Sequence, residues 1–283
     1  MRLPRRGLLA LGLGAAALVP VGWWLLAPPA TSGPPGEAPP PEADEAGILA
    51  MRPGVATLVR LAGEARIFVL VFPDLSTQAM TMNRVAALVE KAGFPRDRLV
   101  SPEELQSAIL ASGDQPNTWY LAHDYSSADL AQFFALAARG SHPLNSAEAW
   151  LGTQLARIRA LAGNDAALLT IAADSGAASE PLRPAILRHE VAHGWYFTRP
   201  AFANRVLAIW RESLTAAERE AMLRYLGQEG YDTGNERLMA NETMAYLAFT
   251  PDLRIFNPES LGISAVRATL LRQLYEVALR QGA

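Results

Sequence analysis

The residues best suited to chemistry are two histidines and a glutamate in segment 188–194, where R-H-E-V-A-H-G contains the pattern H-E-x-x-H. On a helix, His189 and His193 would lie on one face, one turn apart, and two imidazoles so placed can bind one Zn²⁺. Glu190 would lie beside that face, where it can act as a general base toward an attacking water. An ordinary amphipathic helix with a solvent-facing His-Glu pair is the alternative.

The residues around this motif favour a metal site over an ordinary amphipathic helix. Pro184 suits the first turn of a helix. The residues that make the segment largely apolar are Ile186, Leu187, Val191, Ala192 and Trp195. A mostly buried helix would not carry two histidines and a glutamate without a partner for them.

A catalytic zinc site uses three protein ligands and keeps a fourth position open. Segment 238–247, L-M-A-N-E-T-M-A-Y-L, predicts a helix after Gly234 and Asn235. In it Glu242 lies among apolar neighbours, where metal ligation would remove the cost of an unpaired carboxylate. Glu236 is the alternative ligand, although the helix dipole alone explains an acidic residue near the helix start. This explanation of Glu236, together with a family resemblance of the segment, favours Glu242 over Glu236.

Together, His189-Glu190-x-x-His193 and Asn241-Glu242-x-x-Ala245 resemble the gluzincin group of zinc metallopeptidases, which includes thermolysin-like and aminopeptidase-like enzymes. The resemblance covers two short motifs in the last hundred residues. It implies zinc on His189, His193 and Glu242, with Glu190 as the base. The chain has no G-A-M-E-N-type substrate motif, and it lacks the third histidine of the metzincin pattern.

Other polar side chains near the second motif are candidates for supporting roles. A hydrolase of this kind needs a donor that stabilises an oxyanion, and Tyr246 or Tyr231 can supply one. Asp232 or Asn241 can orient a ligand histidine. The two remaining histidines, His123 and His142, are predicted in loops and are further oxyanion candidates. For each of these residues a plain structural role is the alternative.

Composition narrows the possible classes of function. With 283 residues, half of them hydrophobic, the chain suffices for one large domain or two small ones. A net charge of −3, without a basic block beyond the extreme N-terminus, gives little support to nucleic-acid binding. The absence of cysteine excludes disulfides, a cysteine nucleophile, thiolate metal sites and a lipoprotein anchor.

The N-terminus predicts export. Residues 1–6, M-R-L-P-R-R, are basic, and residues 7–27 form an uncharged apolar run long enough to span a bilayer. We predict a signal anchor over 1–27 with its N-terminus in the cytoplasm; a cleaved signal peptide is the alternative. With an uncleaved anchor, the remaining chain would be an exported domain of a single-pass protein at the cell membrane. With a cleaved signal peptide, the remaining chain would be a periplasmic or secreted protein. Residues 28–46 are predicted as a Pro-rich linker.

Residues 47–283 are predicted as one hydrolase domain of α+β class: a small β-sheet half (47–175), then a helical half (176–283) carrying the zinc site, as in zincins. Short apolar runs predict strands at 67–72, 118–122 and 168–173. Caps and glycines predict helices at 76–92, from 101, at 129–139 and at 145–163. In the second half, helices are predicted around both motifs and at 203–213, 215–230 and 264–280.

In zinc peptidases of this type a small sheet lies beside the active-site helix, and its edge strand can bind an extended substrate. The strand at 168–173 directly precedes the zinc helix and is the candidate edge, with an interior core strand as the alternative.

We therefore expect an exported or membrane-anchored zinc-dependent hydrolase, a metallopeptidase that cleaves a peptide or protein substrate. One alternative is a zincin-fold binding or scaffold protein without turnover. Another is a zinc amidase acting on a cell-wall component.

Overall fold

The structure is a computed structural model that describes residues 38–140 and 142–282. The predicted signal anchor at 1–27 and most of the predicted linker lie outside these residues. A two-residue strand and the start of a helix occupy the end of that linker, from residue 42 onward. Within the described ranges, no helix has both the length and the apolar character needed to cross a membrane.

A mixed sheet lies at the centre of the first half, and in the described part of the chain it has five strands. They are β1 (Glu42–Ala43), β2 (Thr57–Leu61), β3 (Ile67–Asp74), β4 (Ala122–Ser126) and β5 (Ala167–Asp174), in the order β1-β2-β3-β5-β4. β1 runs parallel to β2, and β3 runs parallel to β5. The other two pairs are antiparallel. β3 and β5 are buried on both faces, which explains their continuous apolar sequences.

Four helices cover one face of the sheet: α2 (Leu75–Val89), α3 (Pro102–Ala111), α4 (Ser127–Arg139) and α5 (Ser146–Ala162). Capping boxes fix the starts of the last three, with Ser101, Ser126 and Asn145 as N-caps. The opposite face packs against α1 (Glu45–Ala50) and α6 (Arg183–Thr198).

The second half is helical and has its own core. After α6 come α7 (Pro200–Ala208), a π-helical turn (Ile209–Ser213), α8 (Ala216–Gln228), α9 (Glu236–Phe249) and α10 (Ala265–Gln281). Buried aromatic and methionine side chains fill the space between them: Phe202, Trp210, Met222, Met239, Met244 and Tyr275. α6 therefore belongs to both halves, since it packs on the sheet on one side and on α9 on the other.

The predicted α+β class is confirmed, and so are the strands at 67–72 and 168–173. The predicted strand at 118–122 is wrong, because Pro116–Thr118 forms a 3₁₀ turn and the strand begins only at Ala122. The prediction that 168–173 is the edge strand is also wrong, since β5 pairs with both β3 and β4. The edge beside α6 is β4. Sequence analysis missed β1, β2 and α1.

Candidate metal centre

α6 presents its two histidines away from strands β3 and β5. Leu187 and Val191 pack among the apolar side chains of β3 and β5. Gly194 continues that face one turn later, and a Cβ built there would lie 3.1 Å from Ile67. At about 100° per residue, His189 and His193 lie on the opposite side of the helix. The apolar face and the glycine thus hold α6 close to the sheet and turn both imidazoles toward the helical half.

α9 brings Glu242 to these histidines. The helix starts at the N-cap Asn235 and is buried along almost all of its length after the first turn. The Glu242 side chain is 1% exposed; its Oε2 lies 3.7 Å from His189 Nε2 and its Oε1 lies 3.8 Å from His193 Nε2. The two Nε2 atoms are 3.1 Å apart. Three ligand-type atoms from two helices therefore converge on one point.

These separations fit a metal ion. Nitrogen and oxygen ligands about 2.0–2.2 Å from a tetrahedral zinc are about 3.3–3.6 Å apart, close to the distances between these three side chains. His189, His193 and Glu242 form a group whose ligand atoms all lie within 4.8 Å of one another. The buried His/His/Glu group can thus bind a metal ion.

The hydrogen bonds around His189 leave Nε2 free of a proton. Thr250 Oγ1 donates its single proton to the Ala245 carbonyl at 2.9 Å. It must therefore accept from His189 Nδ1, which lies 2.8 Å away. With the proton on Nδ1, Nε2 of His189 directs its lone pair at the site, as a metal ligand requires.

His193 is also held neutral. Burial lowers the pKa of His193 to about 4, since the neighbouring Glu242 and the Asn241 side chain offset only part of the desolvation cost. A neutral imidazole is the form that binds metal. Of the two residues proposed to orient a ligand histidine, Asn241 lies beside His193. Asp232 does not, because it pairs with Arg96 at 3.1 Å.

Glu190 lies beside the ligand group and is almost fully buried. It lines the same cleft as His189, together with Tyr246, whose ring packs edge-on against the His189 ring at 4.6 Å between centroids. The cleft is otherwise mostly apolar, with walls that include Leu121 and Ile186. Glu190, His189 and Tyr246 thus line one cleft.

A second acidic side chain, which sequence analysis missed, reaches the centre from the sheet. Asp124, on β4, has Oδ2 3.7 Å from His193 Nε2 and hydrogen-bonds Glu190. The pKa of Asp124 is raised well above its usual value, first by burial and then by three neighbouring carboxylates: Glu190, Glu90 and Glu242. Asp124 is therefore one of four neighbouring acidic groups at this centre, and it and Glu242 contact the histidines directly.

Some predicted candidates lie apart from the ligand group. Glu236 is exposed and pairs with Arg211, so it is not the third ligand. Tyr231 lies at the junction of the two halves, where it forms a β-bridge with Lys91. His123 is in β4 instead of a loop, and its Nδ1 lies 3.1 Å from the Tyr125 hydroxyl.

Comparisons of the chain with protein-family models, curated proteins and solved structures find no match. The support for a metal centre is therefore the chain's own geometry.

Proposed function

We propose that this protein is a zinc-dependent hydrolase of the gluzincin type, a metallopeptidase. One observation carries the proposal: the two histidines of an H-E-x-x-H motif meet Glu242 of a second helix, with the motif's glutamate beside them in a cleft. His189, His193 and Glu242 would hold Zn²⁺, which acts as a Lewis acid toward a scissile carbonyl.

The residues around the cleft have separate proposed roles in the reaction. Glu190 would accept a proton from the attacking water and deliver it to the leaving amine. Tyr246 lines the same cleft and is the proposed donor to the developing oxyanion. Thr250 and Asn241 would hold the two ligand imidazoles in place.

The adjoining cavity is large enough to hold part of a polymer substrate. A cavity of about 1170 Å³ shares Tyr225, Arg254 and Ile255 with the cleft at the metal centre. Pockets for single small ligands are about 300–1,000 Å³, so this one has room for a polypeptide segment.

The test compares the wild-type chain with Glu190→Gln on a library of quenched fluorescent peptides. Glu190→Gln should keep its metal and lose hydrolysis by at least about 10²–10⁴-fold, because the general base is removed while all three ligands remain. Glu236→Gln, the same substitution at an exposed glutamate outside the site, is the control and should cleave as wild type does. Equal cleavage by Glu190→Gln and wild type would refute the proposed mechanism.

We also propose that the domain works outside the cytoplasm. The support is the basic start and the apolar run at 7–27. Protease added to intact cells stripped of any outer barrier should digest a tag at the C-terminus and spare one at the N-terminus. Protection of both tags in a soluble cytosolic fraction would refute this location.

A further inference from the structure

Asp124 is fixed in position by the edge strand of the sheet. β4 pairs antiparallel with β5, with Asp124 opposite Leu169, and it packs along α6. Side chains alternate along a strand, so Asp124 shares a face with Ala122, which contacts Ile186 of α6. The carboxylate of Asp124 therefore points toward the helix that carries the histidines, and its side chain is only 12% exposed.

Asp124 lies as close to His193 as Glu242 does, although it is not within 4.8 Å of all three side chains of the ligand group. Its Oδ2 lies 3.7 Å from His193 Nε2, while Glu242 Oε1 lies 3.8 Å from the same nitrogen. Asp124 also has a ligand atom within 4.8 Å of Glu242 and of Glu90. A cation that binds His193 and Glu242 would consequently lie next to the Asp124 carboxylate.

The buried carboxylates at this centre also favour a cation that contacts Asp124. Burying several carboxylates together is costly unless a cation or a proton compensates them. Asp124 stands next to three such groups: Glu90, Glu190 and Glu242. A divalent cation ligated by Asp124 as well as Glu242 would balance two of these charges directly.

We propose that Asp124 is a fourth protein ligand of the metal centre, so that the sheet as well as two helices holds the cation. The inference rests on the proposed function, since it needs a cation at His189, His193 and Glu242. It departs from the three-ligand set that the two motifs imply. Catalytic zinc can expand to five ligands, so four protein groups still leave a position for water or substrate.

The first test substitutes Asp124→Asn and, as a matched control, Asp174→Asn at the exposed end of the neighbouring strand β5. Zinc affinity is measured by competition with a chromophoric chelator, and the ligand set by the visible spectrum of the Co²⁺-loaded protein. Asp124→Asn should bind zinc at least about 10–100-fold more weakly and shift the cobalt bands, because a charged ligand is lost. Asp174→Asn should match wild type in both measurements.

Particular results would overturn this inference and leave the proposed function standing. If Asp124→Asn keeps the wild-type zinc affinity and cobalt spectrum, while His193→Ala loses the metal, Asp124 is not a ligand. If the wild-type chain binds neither zinc nor cobalt, the proposed function fails together with this inference.

A second test uses only the wild-type chain and so does not depend on the folding of a variant. In a crystal structure of the zinc-loaded protein, an Asp124 oxygen should lie about 2.0–2.2 Å from the metal. A zinc held by His189, His193 and Glu242 with Asp124 well outside bonding distance would overturn the inference.

Discussion

Thr250→Val tests the proposal that His189 is a metal ligand positioned by the Thr250 hydroxyl. The Thr250 hydroxyl lies between the Ala245 carbonyl and His189 Nδ1, at 2.9 Å and 2.8 Å. Valine has nearly the same shape as threonine and lacks the hydroxyl. The variant should therefore remove the acceptor that keeps the proton on Nδ1 and leave the packing around residue 250 unchanged.

The expected losses of zinc affinity and of stability follow from these two hydrogen bonds. Removing the group that orients a metal-binding histidine typically costs about 10–100-fold in metal affinity, which corresponds to about 1.4–2.8 kcal/mol. The buried N–H of His189 would also be left without its acceptor, so the metal-free protein should lose about 1–3 kcal/mol of stability.

Thr250→Ser is the matched control, because it keeps the hydroxyl. Zinc affinity is measured by chelator competition at a temperature where thermal unfolding shows each metal-free variant to be folded. Thr250→Val should bind zinc about 10–100-fold more weakly than Thr250→Ser, which should stay close to wild type. If the two variants bind zinc equally well, the reasoning about the proton on His189 is refuted.

Three further predictions concern the stability of the metal-free fold. Gly194→Val should cost about 1–3 kcal/mol in urea unfolding, because a side chain there would meet Ile67; an unchanged midpoint would show that α6 does not pack closely on β3. Arg84→Met should cost about 3–5 kcal/mol in the same assay, because it leaves Glu148 buried without the partner that lies 2.9 Å away; a neutral effect would show that this pair does not stabilise the fold. Since the pKa of His193 is lowered to about 4 in the folded protein, the unfolded chain takes up a proton near its ordinary pKa of 6.5 while the folded one does not. The metal-free protein should thus lose up to about 3 kcal/mol as the pH falls from 6.5 to 4, a loss that His193→Gln should reduce.

Much of the fold could be predicted because several elements carry strong local patterns. The apolar run of β3 marks a strand buried on both faces, and Ser101 with Glu104 marks the start of α3. β2 was missed because T-L-V-R-L is short and interrupted by a charge. The order of the strands could not be predicted, because an apolar run looks the same at an edge and in the interior of a sheet.

The candidate site could be predicted only where a motif marks it. Two residues of H-E-x-x-H and the glutamate of the second motif converge as expected, because a spacing of four places side chains on one helix face. Asp124 and Thr250 belong to no motif. They reach the site through strand pairing and through the end of α9, contacts between segments far apart in the chain.

The most direct test of the metal centre is the zinc content of the purified full-length chain, measured by elemental analysis. The wild-type protein should carry one zinc per chain. His193→Ala and Glu242→Gln should lose it, and Glu236→Gln should keep it, because Glu236 is exposed and pairs with Arg211. Equal zinc in all four proteins, or a loss in Glu236→Gln with retention in Glu242→Gln, would contradict the account.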